Sequence, residues 1–356
     1  MMREIYPKIV ELFEENRFSV LVTIIGKSGT TPRSVGAKLL ISDDGQCAGT
    51  IGGGLLEKYV LEEAQKVFAS RLPSRFSYRS EEDNVTEPEM QCGGDVDLFL
   101  EPVSPDNLNH LRIFKEIMEI IRRGGSGLLA TIVDPDYWHS GHIPKMFFKP
   151  DGERIGSLLD IKEMEDAIMG MMGKLQKDKM PSSIVCGDQE GNRLNVFVES
   201  VVSDPILYLF GGGHVASHVA PLAHRVGFKV VVIDDRPEFA DPEKFPEAEE
   251  VHEYTFDNVM ERLPVDESSY IIIMTRGHSH DKNVLAQVLK SPAQYVGMIG
   301  SRRKISIIYD KLREKGFTRE QLDSVHSPIG IDIGAETPEE IAVSIVAELI
   351  KVRAGA

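Results

Sequence analysis

Two runs of three glycines, Gly52–Gly54 in "GTIGGGLLE" and Gly211–Gly213 in "LYLFGGGHVASHVA", each join a strand-like apolar run to a helical pattern. Consecutive glycines cost backbone entropy and pack nothing, so they mark places where the chain turns tightly or lets a ligand approach the backbone. A helix beginning just after such a turn offers free N–H groups to an anion. Gly211-x-Gly213-x-x-Ala216 fits the dinucleotide fingerprint, and Asp234 closes the next apolar run about 20 residues on, where an acid can hold a ribose diol. Asp235 follows directly and can share that role. Acids here repel a 2′-phosphate, which favours a ligand of the NAD or FAD type over NADP. Two features run against the motif: His214 adds bulk to the loop, and Pro221 is expected to kink the helix.

Two further segments are expected at the same crevice. "TRGHSHDKNVL" (275–285) offers His278 and His280 as ligands or acid/base groups, with Asp281 placed to cap the next helix. The alternative is that the histidines merely fill a loop; no third ligand accompanies them, so no metal site follows. "GMIGSRRK" (297–304) offers Ser301, Arg302, Arg303 and Lys304 to an anion, or is simply a solvated helix start. Around the first glycine run, Arg33 and Lys38 bring positive charge beside Gly52, Gly53 and Gly54, a combination suited to a phosphate-bearing ligand, and Glu57 is placed for a helix cap. Cys92, followed by Gly93 and Gly94, reads as an accessible loop thiol or as an ordinary packed cysteine. No nucleophile, base and orienting group form a catalytic set, so no catalytic residue is assigned.

The elements that must position these residues fall into two patterns. Up to about residue 200 the periodicity predicts helices at 3–16, 55–70, 108–123 and 162–174 and strands at 18–25, 37–42, 95–103, 127–133, 182–186 and 194–202. That half is α+β, without a regular parallel βαβ series. From Pro205 the strand-like runs are short, apolar and β-branched (206–210, 229–234, 270–275, 295–300), as expected of strands buried on both faces. Helical patterns at 214–226, 281–291 and 302–315 separate them, and a last one spans 336–351. The chain is therefore read as α/β overall: an N-terminal α+β domain over 1–200 and a C-terminal Rossmann-like, doubly wound parallel sheet over 205–356.

The 356 residues are 42% hydrophobic and 27% charged, an ordinary globular balance that can fill two cores. The net charge of −16 and the absence of a basic stripe disfavour a nucleic-acid partner. The N-terminal stretch is charged and amphipathic rather than a signal peptide, and no apolar run approaches the roughly 20 residues of a membrane span. Three cysteines without a C-x-x-C pair give neither a disulfide framework nor a structural zinc site, which suits a reducing cytoplasm.

Taken in order, "GTTPRSVGAKLLIS", "GTIGGGLLE", "MQCGGDVDLFLEP", "LYLFGGGHVASHVAPLA", "VVVIDDRPEFA", "TRGHSHDKNVL", "YVGMIGSRRK" and "SPIGIDIGAETPEEIAVSI" resemble the XdhC/CoxI family, the accessory factors of xanthine dehydrogenase and related molybdenum hydroxylases. Residues 105–200 carry the least of the resemblance. It implies a cytoplasmic chaperone, commonly dimeric, that binds the molybdenum cofactor (molybdopterin). The factor supports sulfuration by a cysteine-desulfurase-like sulfurase and then delivers the cofactor to the apo-hydroxylase. On that reading the glycines cradle phosphate, Cys92 lies near the metal dithiolene, and the protein is not itself an enzyme. Two other readings stand beside it: a NAD-dependent oxidoreductase with Asp234 on the ribose and His278 or His280 as proton donor, and a structural bridge between sulfurase and hydroxylase.

Overall fold

The computed structural model describes residues 2–31, 33–79, 94–138, 142–178, 181–187 and 193–355, which form two compact units, Met1–Ser203 and Asp204–Ala356. Cys92 lies outside the described residues. Among those residues no helix is long and apolar enough to cross a membrane.

The first unit holds two five-stranded antiparallel sheets. The first comprises β1 (Ser19–Ser28), β2 (Lys38–Ser42), β3 (Cys47–Gly49), β4 (Ser74–Tyr78) and β5 (Asp95–Val103), in the order β3-β2-β1-β5-β4. The second comprises β6 (Ser126–Ile132), β7 (Lys145–Phe148), β8 (Arg154–Ser157), β9 (Ser182–Gly187) and β10 (Arg193–Val202), in the order β8-β7-β6-β10-β9. Helix α1 (Met2–Glu14) precedes the first sheet and α2 (Gly54–Ser70) interrupts it; α3 (Leu108–Arg122) precedes the second, and α4 (Lys162–Gly170) and α5 (Met172–Asp178) interrupt it.

The two halves of this unit therefore repeat one order, helix, three strands, helical segment, two strands. The registers agree residue by residue. Thr23 on β1 faces Lys38 on β2, and Thr131 on β6 faces Lys145 on β7. Leu21 faces Glu101 on β5, and Leu129 faces Glu199 on β10. Gly49 and Gly156, at matching places, would each drive a Cβ into a carbonyl oxygen (Lys38 and Lys145) and into an isoleucine of the preceding helix (Ile5 and Ile113). One face of each sheet shares a core with the apolar stripes of α1 and α3, where Ile5, Ile9, Leu12, Ile113 and Ile117 recur at helical spacing. The opposite face packs under α2 in one copy and under α4 and α5 in the other.

The copies are joined crosswise. Lys38 Nζ lies 2.9 Å from Glu199 of the second copy and 3.2 Å from Thr23 Oγ1, while Lys145 Nζ lies 2.9 Å from Glu101 of the first copy and 2.9 Å from Thr131 Oγ1. All four charged side chains are buried, so each charge depends on its partner and on the added hydroxyl.

The second unit is one parallel sheet of β11 (Ile206–Phe210), β12 (Lys229–Asp234), β13 (Glu250–Glu253), β14 (Tyr270–Ile273) and β15 (Tyr295–Met298), in the order β13-β12-β11-β14-β15. Alternate side chains leave its two faces. Leu207 and Leu209 point to the core under α6 (His214–Arg225) and α10 (Pro338–Arg353). Tyr208 and Phe210 point to the core under α7 (His278–Val288), α8 (Arg302–Arg313) and α9 (Arg319–Asp323). This is the doubly wound sheet that the apolar runs predict. The fifth strand, β13, escaped the sequence reading because "EVHE" is a half-exposed edge strand without an apolar run. Helix α6 runs on through Pro221 to Arg225. The last helix begins with a capping box between Thr337 and Glu340 and with Pro338 in its first turn.

Candidate anion-binding sites

At the first glycine run the backbone is left-handed throughout, with φ of 137° at Gly52, 76° at Gly53 and 61° at Gly54. N–H groups of this loop converge on one point, as they do at an anion site. The protein's own Glu57 occupies part of it. One Glu57 carboxylate oxygen accepts from Ile51 N at 3.1 Å, Gly53 N at 3.0 Å and Thr50 Oγ1 at 2.6 Å, and Gly52 N donates to Thr50 Oγ1. Partial burial pushes the Glu57 carboxyl up, but the hydrogen bonds from Thr50 and from the Gly53, Ile51 and Gly52 amides outweigh it and hold the group below its ordinary value. Because the folded value is depressed, this clasp stabilises the fold above the ordinary carboxylate range and is lost as pH falls through the folded value. Glu57→Gln is therefore expected to flatten the loss of melting temperature below about pH 4.5, read by thermal unfolding at stepped pH.

The charges expected beside this run divide. Lys38 is 5% exposed and committed to Glu199, so it is a core ion pair and not a phosphate contact; a lysine at that depth needs a carboxylate of its own. Arg33 is half-buried, and its carbonyl accepts from Thr31 Oγ1 at 2.9 Å.

At the second run Gly211 has φ of 114°, and a Cβ there would stand 2.5 Å from the Met274 carbonyl oxygen; one at Gly212 would stand 2.1 Å from that of Phe239. Both glycines are therefore demanded by close backbone packing. Gly213 differs: φ is −79°, and a Cβ would meet nothing within 4 Å. It is the N-cap of α6 and supplies no side-chain cap, so the first N–H groups of the helix are left without a side-chain partner among the described residues. His214, the first residue of the helix, is exposed.

Asp234 does not serve the role expected of it. It is 1% exposed, and its carboxylate accepts four hydrogen bonds: Gly212 N at 2.9 Å and Arg236 Nη2 at 3.0 Å on one oxygen, Arg236 N at 3.0 Å and Arg236 Nε at 2.9 Å on the other. A carboxylate has about four acceptor positions, so none is left for a ribose diol. Arg236, which the sequence reading passed over, converts Asp234 into a clasp for the glycine loop.

The neighbouring loops complete the crevice. β11 and β14 are adjacent and parallel, and their following helices, α6 and α7, pack on opposite faces of the sheet. That is the topological switch point at which open α/β sheets bind ligands. Helix α7 begins at His278, not after Asp281, and its N-cap is Gly277, with φ of 90° and again no side-chain cap. Asp281 is fully buried in the first turn, where it accepts from Thr275 N at 3.1 Å and Thr275 Oγ1 at 2.7 Å and pairs with Lys304. This network fixes the loops after β14 and β15 together. His278 is exposed, and His280 packs edge-on against Phe256. Ser301 caps α8 by accepting from Lys304 N at 3.3 Å, which leaves Arg302 and Arg303 exposed beside it. Arg276, also exposed, joins them; none of these three arginines has an ion-pair partner among the described residues. Gly277 and Arg276 were missed in the sequence, although a glycine between a buried strand and a helix was the available signal. Among the described residues no group of three or more His, Cys, Asp or Glu could hold a metal ion.

Comparison with known proteins gives two family matches, "XdhC and CoxI family" over residues 12–79 and "XdhC Rossmann domain" over residues 207–349. The chain is similar to a Bacillus subtilis protein named as a probable subunit of xanthine dehydrogenase, with 23% identity over 99% of this chain and 98% of that one. It is also similar to the Escherichia coli "Molybdenum cofactor insertion chaperone PaoD", at 22% identity over 99% of this chain and 88% of that one. An uncharacterized E. coli relative, YqeB, is 28% identical over 68% of this chain but only 46% of its own length. Among solved structures, one described as a xanthine dehydrogenase from Bacillus halodurans superposes with a TM-score of 0.79 at 26% identity, covering 98% of this chain and 96% of that one. With both family models matched in order and the Rossmann sheet in place, the chain belongs to the XdhC and CoxI family.

Proposed function

We propose that this protein is a maturation factor for a molybdenum hydroxylase, binding the molybdenum cofactor by its phosphate at the C-terminal ends of the parallel strands. The observation that carries the reading is the pair of glycine-led helix N-termini at Gly213 and Gly277, which lack a side-chain cap and flank the switch point beside Arg276, Arg302 and Arg303, all three without an ion-pair partner among the described residues. Free N–H groups and guanidinium forks are the donors that suit a phosphate. In a chain of net charge −16 such a cationic cluster has a local purpose. The relative named an insertion chaperone supports the cofactor assignment, and the relative named for xanthine dehydrogenase supports the class of client. Gly211, Gly213, His278, Ser301 and Arg302 belong to this site, with Gly211 and Ser301 shaping it and Gly213, His278 and Arg302 facing the ligand. Gly52–Gly54 and Arg33 are a secondary anion site that a ligand enters only by displacing Glu57.

On this reading the bound cofactor supplies molybdenum and dithiolene chemistry that the client enzyme later uses, while the chain binds, orients and shields it. Sulfuration by a cysteine-desulfurase-like partner, transfer to the apo-hydroxylase, homodimer formation and a cytoplasmic location complete the proposal. The NAD-dependent alternative loses its ribose acid to Arg236. To test the site, Arg276→Glu/Arg302→Glu is compared with wild type after anaerobic purification from a cofactor-producing host. Loss of two charge-assisted contacts is expected to lower bound molybdenum and pterin by about 100-fold or more. Undiminished retention would remove the arginines from the site.

A further inference from the structure

Helix α10 has two apolar faces. Ala342, Ile345, Val346 and Leu349 fill the core of the second unit. On the opposite side Val343 is 51% exposed and Ile350 39%. These two stand in a stripe, Glu336, Glu340, Val343, Ala347, Ile350 and Ala354, whose spacing alternates between four and three residues. That is the repeat of a helix–helix seam, and the small Ala347 at its middle lets a second helix approach closely. A helix that is apolar on both sides calls for cover on both. The loop before α10 widens the patch. Ile331 N donates to the Ser344 carbonyl at 3.4 Å, Ser344 Oγ donates to the Ile331 carbonyl at 2.6 Å, and Ile333, two residues on, is 51% exposed.

The charges along this surface are ordered. Helix α6 runs beside α10 in the same direction: His218 Nε2 lies 3.4 Å from Glu339 at one end, and Arg353 Nη1 donates to the Val226 carbonyl at the other. The N-terminal end of the helix pair carries the exposed Glu336, Glu339 and Glu340, and the C-terminal end carries the exposed Arg225 and Lys351. Arg225 and Lys351 have no ion-pair partner among the described residues. A surface that is acidic at one end, apolar in the middle and basic at the other is complementary to itself when turned end for end.

We propose that the stripe on α10 is the two-fold interface of a homodimer. Two copies of the helix pack antiparallel, with Val343 of one against Ile350 of the other, Ala347 near the axis, and Glu336 and Glu340 of each copy facing Lys351 of the other. A two-fold contact uses the same patch on both subunits, so each pairing of acid with base forms twice. A parallel arrangement would set acids against acids. The inference rests on the homodimer included in the proposed function and assigns the surface that forms it.

Sedimentation velocity over a dilution series of the full chain tests it. The wild type is expected to sediment as a dimer. Val343→Glu/Ile350→Glu alters only exposed positions and is expected to weaken dimerisation at least about 100-fold, as loss of a central apolar contact on both subunits requires, with an unchanged circular dichroism spectrum. Lys351→Glu alone is expected to weaken it about tenfold at low salt, and Lys351→Glu/Glu336→Lys to recover most of that loss, because the swap rebuilds the pairing across the axis. A monomeric wild type would overturn the homodimer and this surface together. A dimer unmoved by Val343→Glu/Ile350→Glu would overturn the surface alone, and a charge swap that recovers nothing would overturn the antiparallel arrangement.

Discussion

Replacing Lys38 by methionine is expected to destabilise the first unit by about 3–5 kcal/mol, the loss found when one member of a buried ion pair is removed. Glu199 would be left with its carboxylate in a site where it is only 4% exposed, and Thr23 would lose the ammonium it now faces. The cost comes from the abandoned charge rather than from the pair itself. Lys38→Met/Glu199→Leu is therefore expected to recover most of the stability, because it removes both charges and keeps the volume. Urea unfolding followed by Trp138, which lies in this unit and donates to the Ile132 carbonyl, reads the result. The pseudo-equivalent Lys145→Met should behave alike, since Glu101 is as deeply buried as Glu199. A loss under about 1 kcal/mol for either lysine would mean that water reaches the pair and that the crossed bridges do not hold the copies together.

Gly213→Val is expected to cost the protein its cofactor without costing it the fold. Valine accepts φ of −79° with ψ of −169°, and a Cβ at this position meets open space. The branched side chain would stand over the first N–H groups of α6, where the phosphate is proposed to sit. Losing one or two charge-assisted hydrogen bonds corresponds to about 10- to 100-fold weaker retention. Gly211→Val makes the contrast, since a left-handed φ and a carbonyl 2.5 Å from the new Cβ predict a destabilised chain. Gly53→Val is a poorer probe of the first run than its open surroundings suggest, because φ of 76° with ψ of −171° is open to glycine alone. Molybdenum content and melting temperature of Gly213→Val, measured together, separate the two effects; retained molybdenum would move the phosphate away from this helix.

Much of the second unit was legible in the sequence because strands buried on both faces betray themselves as apolar runs. "ILYLF", "KVVVID", "YIII" and the helices between them leave little choice of fold. What the sequence hid were the internal partners of its polar residues. Asp234 reads as a ribose acid until Arg236, two residues on, is seen to fill its acceptors. Glu57 reads as a helix cap and does reach the loop before α2, but in doing so it takes N–H groups that seemed to await a phosphate. Lys38 reads as a surface cation because its partner Glu199 is distant in the chain. The duplication was invisible for a related reason. The copies share registers, buried charges and two glycines that a Cβ would overfill, whereas strand lengths, helix breaks and the glycine run itself have diverged. Topology kept what the side chains did not.

The central claim is that this chain carries the molybdenum cofactor. Molybdenum by mass spectrometry and pterin by oxidative fluorescence, on wild-type protein purified anaerobically from a cofactor-producing host, test it most directly. The account predicts close to one molybdenum and one pterin per chain. Protein that carries neither, yet binds NAD(H) on titration, would contradict it.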